Sequence, residues 1–192
     1  TAGGATMNNI SRWNGSAWSA LGGGLPGGSV YAVAADASSV YAGGNFTAAG
    51  GAAADYIARW DGAVWQAVGG GVNSQVRALA IHPLSGDLYA AGWFSQAGGA
   101  PASKVAVWDG FAWQALGSAV INGNVLALAF DPAGNLYIGG EFTTAGGVTV
   151  NRIAVWNGSA WQALGSGANG AVRSLAFSPS GSLVAGGDFS SM

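Results

Sequence analysis

The sequence predicts an all-β fold, a β-propeller of four-stranded antiparallel blades, and three observations predict it. A fifteen-residue phrase recurs four times: ISRWNGSAWSALGGG from Ile10, IARWDGAVWQAVGGG from Ile57, VAVWDGFAWQALGSA from Val105 and IAVWNGSAWQALGSG from Ile153. Its first tryptophans, Trp13, Trp60, Trp108 and Trp156, stand 47, 48 and 48 residues apart. Each period divides into four short apolar segments, and 35 glycines among the 192 residues chop the chain into such pieces. A repeat of this length is one small unit that cannot bury its apolar faces alone and stacks on copies of itself.

The first segment of each period alternates: VYAVAAD from Val30, VRALAIHP from Val76, VLALAFDP from Val125 and VRSLAFSP from Val172. The second follows a turn: VYAGGNF from Val40, LYAAGWF from Leu88, LYIGGEF from Leu136 and LVAGGDF from Leu183. Short runs of Val, Leu, Phe and Tyr bounded by turn residues read as strands. The spacers Asp131 to Asn135 and Ser178 to Ser182 combine the fixed φ of proline with a permissive glycine.

The third and fourth segments flank Asn14-Gly15, Asp61-Gly62, Asp109-Gly110 and Asn157-Gly158. Such pairs are strong signals for a two-residue hairpin turn. That turn pairs Trp60 with Ala63 and Ala58 with Trp65. It points both tryptophans to one face and Ile57, Val64 and Val68 to the other. A hairpin apolar on both faces must be sandwiched. Trp13, Trp18, Trp60, Trp65, Trp108, Trp113, Trp156 and Trp161 are therefore expected to form the cores between blades. Four antiparallel strands per 47–48 residues match a propeller blade.

The frame divides the chain into a half blade (1–24), three blades (25–71, 72–118 and 119–167) and a second half blade (168–192). The chain opens in the third strand of one blade and stops after the second strand of another. Either the ends meet in a composite blade that closes a four-bladed ring, or the chain is a segment of a larger propeller; we expect the segment, with Ile10 and Phe189 apart and further blades supplied by the same polypeptide.

Composition bounds the function. Only 7% of residues are charged, against about 25% in typical domains. Arg12, Arg59, Arg77, Lys104, Arg152 and Arg173 are scattered, with no basic stripe, so nucleic acid is not an expected partner. No apolar run approaches the roughly 18 residues of a membrane helix. So bare a surface suits an extracellular or cell-surface protein, or one packed among neighbours in an assembly. Cysteine is absent, which excludes disulfides and thiolate metal sites.

GGNFTAAGG from Gly43, GGEFTTAGG from Gly139 and NRIAVWNG from Asn151 resemble the delta-60-type propeller repeats of bacterial surface and secreted proteins. They also resemble the related propellers of fungal cortical cell-polarity markers. The resemblance covers the whole chain, once per repeat. Here the period is shorter, and Trp18, Trp65, Trp113 and Trp161 replace a more acidic continuation. The resemblance implies an extracellular, multi-bladed, non-catalytic module.

Candidate chemistry is sparse. His82, the one histidine, occupies a turn position that holds Asp36, Asp131 and Ser178 in the other copies. It reads as a turn-initiating polar group. Gly22 to Gly24 and Gly69 to Gly71 lack the following helix that a phosphate cradle needs. One lone carboxylate or amide per turn falls short of the six to eight oxygens of a calcium site, so neither metal nor cofactor is expected. Asn9, Asn14, Asn45 and Asn157 head N-x-S/T sequons.

Between the repeated glycines and phenylalanine one position differs in every copy: Asn45, Trp93, Glu141 and Asp188. A position that varies while its neighbours repeat is where blades can be individualised for a ligand. The expectation is a non-catalytic structural or adhesive module, partnered by other blades or subunits. The alternative is a carbohydrate-binding propeller with one weak glycan site per blade.

Overall fold

A computed structural model describes residues 6–117 and 120–192. The chain is all-β, with no helix among the described residues. The strands are β1 (Ser11–Trp13), β2 (Trp18–Ala20), β3 (Val30–Ala35), β4 (Val40–Gly44), β5 (Ala48–Ala49), β6 (Ala52–Ala53), β7 (Ile57–Trp60) and β8 (Trp65–Ala67). The next period supplies β9 (Val76–Ile81), β10 (Leu88–Gly92), β11 (Gln96–Ala97), β12 (Ala100–Pro101), β13 (Val105–Trp108) and β14 (Trp113–Ala115). The remainder are β15 (Val125–Phe130), β16 (Leu136–Gly140), β17 (Thr144–Ala145), β18 (Val148–Thr149), β19 (Ile153–Trp156), β20 (Trp161–Ala163), β21 (Val172–Phe177) and β22 (Leu183–Gly187).

Three four-stranded antiparallel sheets result, in the orders β3-β4-β7-β8, β9-β10-β13-β14 and β15-β16-β19-β20. The hairpins β1-β2 and β21-β22 are two-stranded sheets of their own. Each full period also carries a miniature hairpin that the segment count misses: β5-β6, β11-β12 and β17-β18. The first strands of successive sheets stack in sequence, β3 on β9, β9 on β15 and β15 on β21. No hydrogen-bonded pairing joins β1 to β22 among the described residues, and the stack does not close.

Small residues let the sheets approach. A side chain at Gly43 would run into Val76, and one at Gly139 into Val172. Val76, Val125 and Val172 are fully buried, as are Phe46, Phe94 and Phe142 at the ends of the second strands. Apolar clusters lie between successive sheets, one uniting Ile57 with Val76 and Leu88, the next Val105 with Val125 and Leu136.

The tryptophan hairpins differ from the expected register. Trp60 opposes Trp65, Trp108 opposes Trp113 and Trp156 opposes Trp161, so the loop has four residues rather than two. Asp61 accepts hydrogen bonds at Oδ1 from the backbone N–H of Ala63 and Val64, both at 2.9 Å. This side-chain turn takes the place of a backbone turn. Both tryptophans of a copy still share a face, because directly opposed strand residues do; the Trp60 and Trp65 rings are 5.6 Å apart. Val64 falls in the loop and is exposed instead of facing a neighbouring sheet, whereas Ile57 and Val68 are buried.

The eight tryptophans do not all form core. Trp65, Trp113 and Trp161 are buried, and Trp60, Trp108 and Trp156 are half-buried. Trp13 and Trp18 are 50% and 48% exposed. The physical reason is local: among the described residues β1-β2 is hydrogen-bonded to no further strand.

Candidate functional site

The position that varies between copies follows the second strand of each sheet, and the first strand is bulged beside it. Gly44 pairs with Val30 while Gly43 pairs with Ala32, which leaves Tyr31 as the extra residue. The same shift makes Arg77, Leu126 and Arg173 the extra residues of β9, β15 and β21. A bulge re-aims a side chain and strengthens local twist. Tyr31, Arg77, Leu126 and Arg173 thus stand at the same rim as Asn45, Trp93, Glu141 and Asp188. This second row has a signal in the sequence that the first row's comparison leaves unused: Val-Tyr, Val-Arg, Val-Leu and Val-Arg occupy one column of the aligned copies that varies like the first.

The two rows engage each other. The guanidinium of Arg77 lies 4.2 Å from the ring centre of Tyr31 on the preceding sheet and 5.4 Å from that of Trp93 on its own. Trp93 is 41% exposed, and its carbonyl accepts from Lys104 Nζ at 2.9 Å. Arg173 Nε donates to Asp188 Oδ2 at 2.8 Å. That bond, with the attraction of the guanidinium, holds the Asp188 carboxyl below its ordinary value, partial desolvation opposing it. Asp188, and at longer range Glu141 of the preceding sheet, push the Arg173 pKa up. Glu141 Oε2 accepts from Asn124 Nδ2 at 2.8 Å. Asn45 differs: its Oδ1 accepts the Ser29 N–H and so closes its own strand end.

In a chain with six basic and eight acidic residues, this rim gathers Arg77, Arg173, Glu141 and Asp188. It alternates an aromatic-cationic stretch (Tyr31, Arg77, Trp93) with a polar, ion-paired one (Asn124, Glu141, Arg173, Asp188). Such a surface can stack on a flat apolar face and hydrogen-bond hydroxyl or carboxylate groups beside it.

Several other titratable groups are engaged in turns. His82 Nδ1 accepts from the backbone N–H of Leu84 at 3.2 Å and Ser85 at 3.1 Å. Asp131 Oδ1 accepts from Ala133 and Asn135, and Asp36 Oδ1 from Ser38 and Ser39. His82 also packs edge-on against Phe130 at 4.9 Å. Among the described residues no three His, Asp or Glu side chains gather as a metal site would require. Of the sequon residues, Asn9 donates its amide to the Leu25 and Gly28 carbonyls, and Asn14 and Asn157 cap their hairpin loops through Oδ1. Among the described residues no helix is long and apolar enough to cross a membrane.

No protein-family model matches the chain, and no curated protein does.

Proposed function

We propose that the chain is a non-catalytic β-propeller module of an exported or cell-surface protein, a scaffold that holds one individual side-chain pair per sheet at a common rim for adhesion. The observation that carries this reading is the doubled row at the bulged strand ends. There the sheets differ from one another, while the tryptophans, glycines and buried phenylalanines behind them repeat. Stacked first strands and small residues at the sheet contacts support radial blades around an axis. Most carboxylates and His82 are committed to turns and to rim pairs, and the rim is the place where the copies are individual. The low charge of the surface supports a life outside the cytoplasm.

Small-angle scattering tests the architecture: a flat, disc-like particle is expected, and a rod of stacked sheets overturns the propeller. Antibody labelling of intact, unpermeabilised source cells tests the placement, and failure to label while lysed cells do so overturns it.

Trp93 favours a second reading, in which the rim binds carbohydrate. An exposed indole beside Tyr31 and Arg77 offers the stacking face that sugars use. A glycan array should then give binding that Trp93→Ala removes, and a blank array at high protein concentration excludes it. Several weak rim sites would gain about 10²–10⁴ in avidity from repetition.

A further inference from the structure

We propose that the rim at the first two complete sheets binds a carboxylate-bearing sugar, a hexuronate unit of an acidic polysaccharide, with the sugar ring on Trp93 and its carboxylate on Arg77. The inference rests on the carbohydrate reading of the rim above and names the chemical class that one of its sites takes. The chain itself shows how an arginine at this place is satisfied. Arg77 and Arg173 are each the extra residue of a bulged first strand. Arg173 is met by the carboxylate of Asp188, at the variable position of its own sheet, in the one ion pair among the described residues. Glu141, at the variable position of the sheet before, attracts it at longer range. Around Arg77 the same two positions carry no charge: Trp93 stands in its own sheet and Asn45 in the sheet before. Asn45 is turned back to the Ser29 N–H. Arg77 therefore has the setting of Arg173 with both counter-charges removed.

What replaces those charges is a platform for a ring. Trp93 and Tyr31 are 41% and 40% exposed, and the Arg77 guanidinium lies 5.4 and 4.2 Å from their ring centres. Its one side-chain hydrogen bond among the described residues is a long one, from Nη1 to Gln75 Oε1 at 3.4 Å. A guanidinium carries five N–H donors, so a fork is left for the two oxygens of a carboxylate. Lys104 brings a second cation to the same place. Its ammonium gives one of three N–H groups to the Trp93 carbonyl at 2.9 Å and pairs with no carboxylate among the described residues. That bond also fixes the platform, because the Trp93 backbone N–H donates to the Gln75 carbonyl at 3.0 Å on the other side. A residue held on both sides has less freedom to lose when a ligand arrives.

This combination discriminates between ligands. A neutral pyranose can lay its C–H face on the indole but leaves two cations uncompensated. A small free anion pairs with the cations and leaves the aromatic faces in water. A hexuronate has an apolar ring face and a carboxylate on the same ring, so one unit meets Trp93 and Arg77 together. A sulfate ester lacks the planar two-oxygen edge that suits a guanidinium fork and that Asp188 offers Arg173. The other sheets cannot do the same. Tyr31 with Asn45 and Leu126 with Glu141 bring no cation of their own to the rim, and Arg173 is already filled by Asp188. The acid-selective site is therefore single in this chain.

Titration calorimetry at low ionic strength tests the proposal, with trisaccharides of galacturonate and of mannuronate as free acids and as methyl esters. At least one acid should bind at one site per chain, at least tenfold more tightly than its own ester, and added salt should weaken it. Arg77→Gln should bring the acid down to the level of the ester while the far-ultraviolet β signal stays unchanged. Trp93→Ala should weaken the acid at least tenfold. Trp93→Asp should weaken it further still, because it gives Arg77 the internal counter-ion that Arg173 already has. An ester that binds as tightly as its acid overturns the proposal, and so does an acid preference that survives Arg77→Gln. A sulfated trisaccharide without carboxylates that matches the acid overturns it as well. Failure of every acid to bind overturns this proposal alone where neutral glycans on the array still bind through Trp93. A blank array sinks the carbohydrate reading with it.

Discussion

Asn14, Asp61, Asp109 and Asn157 place the same oxygen in the same turn, yet two of them carry a charge and two do not. Hydrogen bonds from the Val64 and Ala63 amides hold the Asp61 carboxyl below its ordinary value of 3.8, and those from Ala112 and Phe111 do the same for Asp109. A carboxyl whose folded pKa is depressed contributes stability that is fully present above the unfolded value and lost as pH falls through the folded one. The melting temperature should thus hold steady above about pH 5 and drop as the solution passes below about pH 4. Asp61→Asn with Asp109→Asn keeps the acceptor, copies the turns of Asn14 and Asn157, and should reduce that drop, with the hydrogen-bonded Asp36, Asp131 and Asp188 supplying the remainder; thermal melts from pH 2 to pH 7 measure it. The tryptophans make a second comparison. Trp113→Phe keeps most of the buried ring but loses the bond to the Val68 carbonyl, at a cost of about 1 kcal/mol beyond the packing change. Trp161 is equally buried, and among the described residues its Nε1 has no acceptor. Trp161→Phe should therefore cost less in chemical denaturation, and equal costs would contradict this account.

Between elements, the loops entering β9, β15 and β21 are each clasped by one asparagine to the segment that follows the second strand. Asn73 Oδ1 accepts from the Ser95 and Gln96 amides at 2.9 and 3.0 Å, and its Nδ2 reaches Ser95 Oγ at 3.0 Å. Asn122 and Asn169 repeat this with Thr143, Thr144, Ser190 and Ser191. Asn73→Ala should free β11-β12 at a cost of about 1–3 kcal/mol, read as faster hydrogen exchange at Ser95 and Gln96 with β9 and β10 still protected. Strand identity was legible in the sequence because period-two apolar runs and glycine turns report on burial directly. The hairpin register was not, because Asp61-Gly62 suits a two-residue turn and a longer loop alike, and the outcome depends on where the side-chain oxygen bonds. The bulges at Tyr31, Arg77, Leu126 and Arg173 were hidden for a related reason: an extra residue leaves no mark until the partner strand is known. The variable positions Asn45, Trp93, Glu141 and Asp188 could be found by comparing copies, but their partners belong to a different strand.

At the scale of the whole molecule, stability is a sum over sheet-to-sheet contacts, and an end sheet makes such contacts on one side where an inner sheet makes them on two. An end sheet with half-buried Leu183 and Phe189 keeps apolar area in water that Leu88, Leu136, Phe94 and Phe142 have removed. Uncovered edges open first, because local opening costs least where few apolar contacts hold a segment. Amide hydrogen exchange should therefore be fastest in β1-β2 and β21-β22 and slowest in β9 and β10, which have neighbouring sheets on both sides. Equal protection across all of these strands would contradict this account.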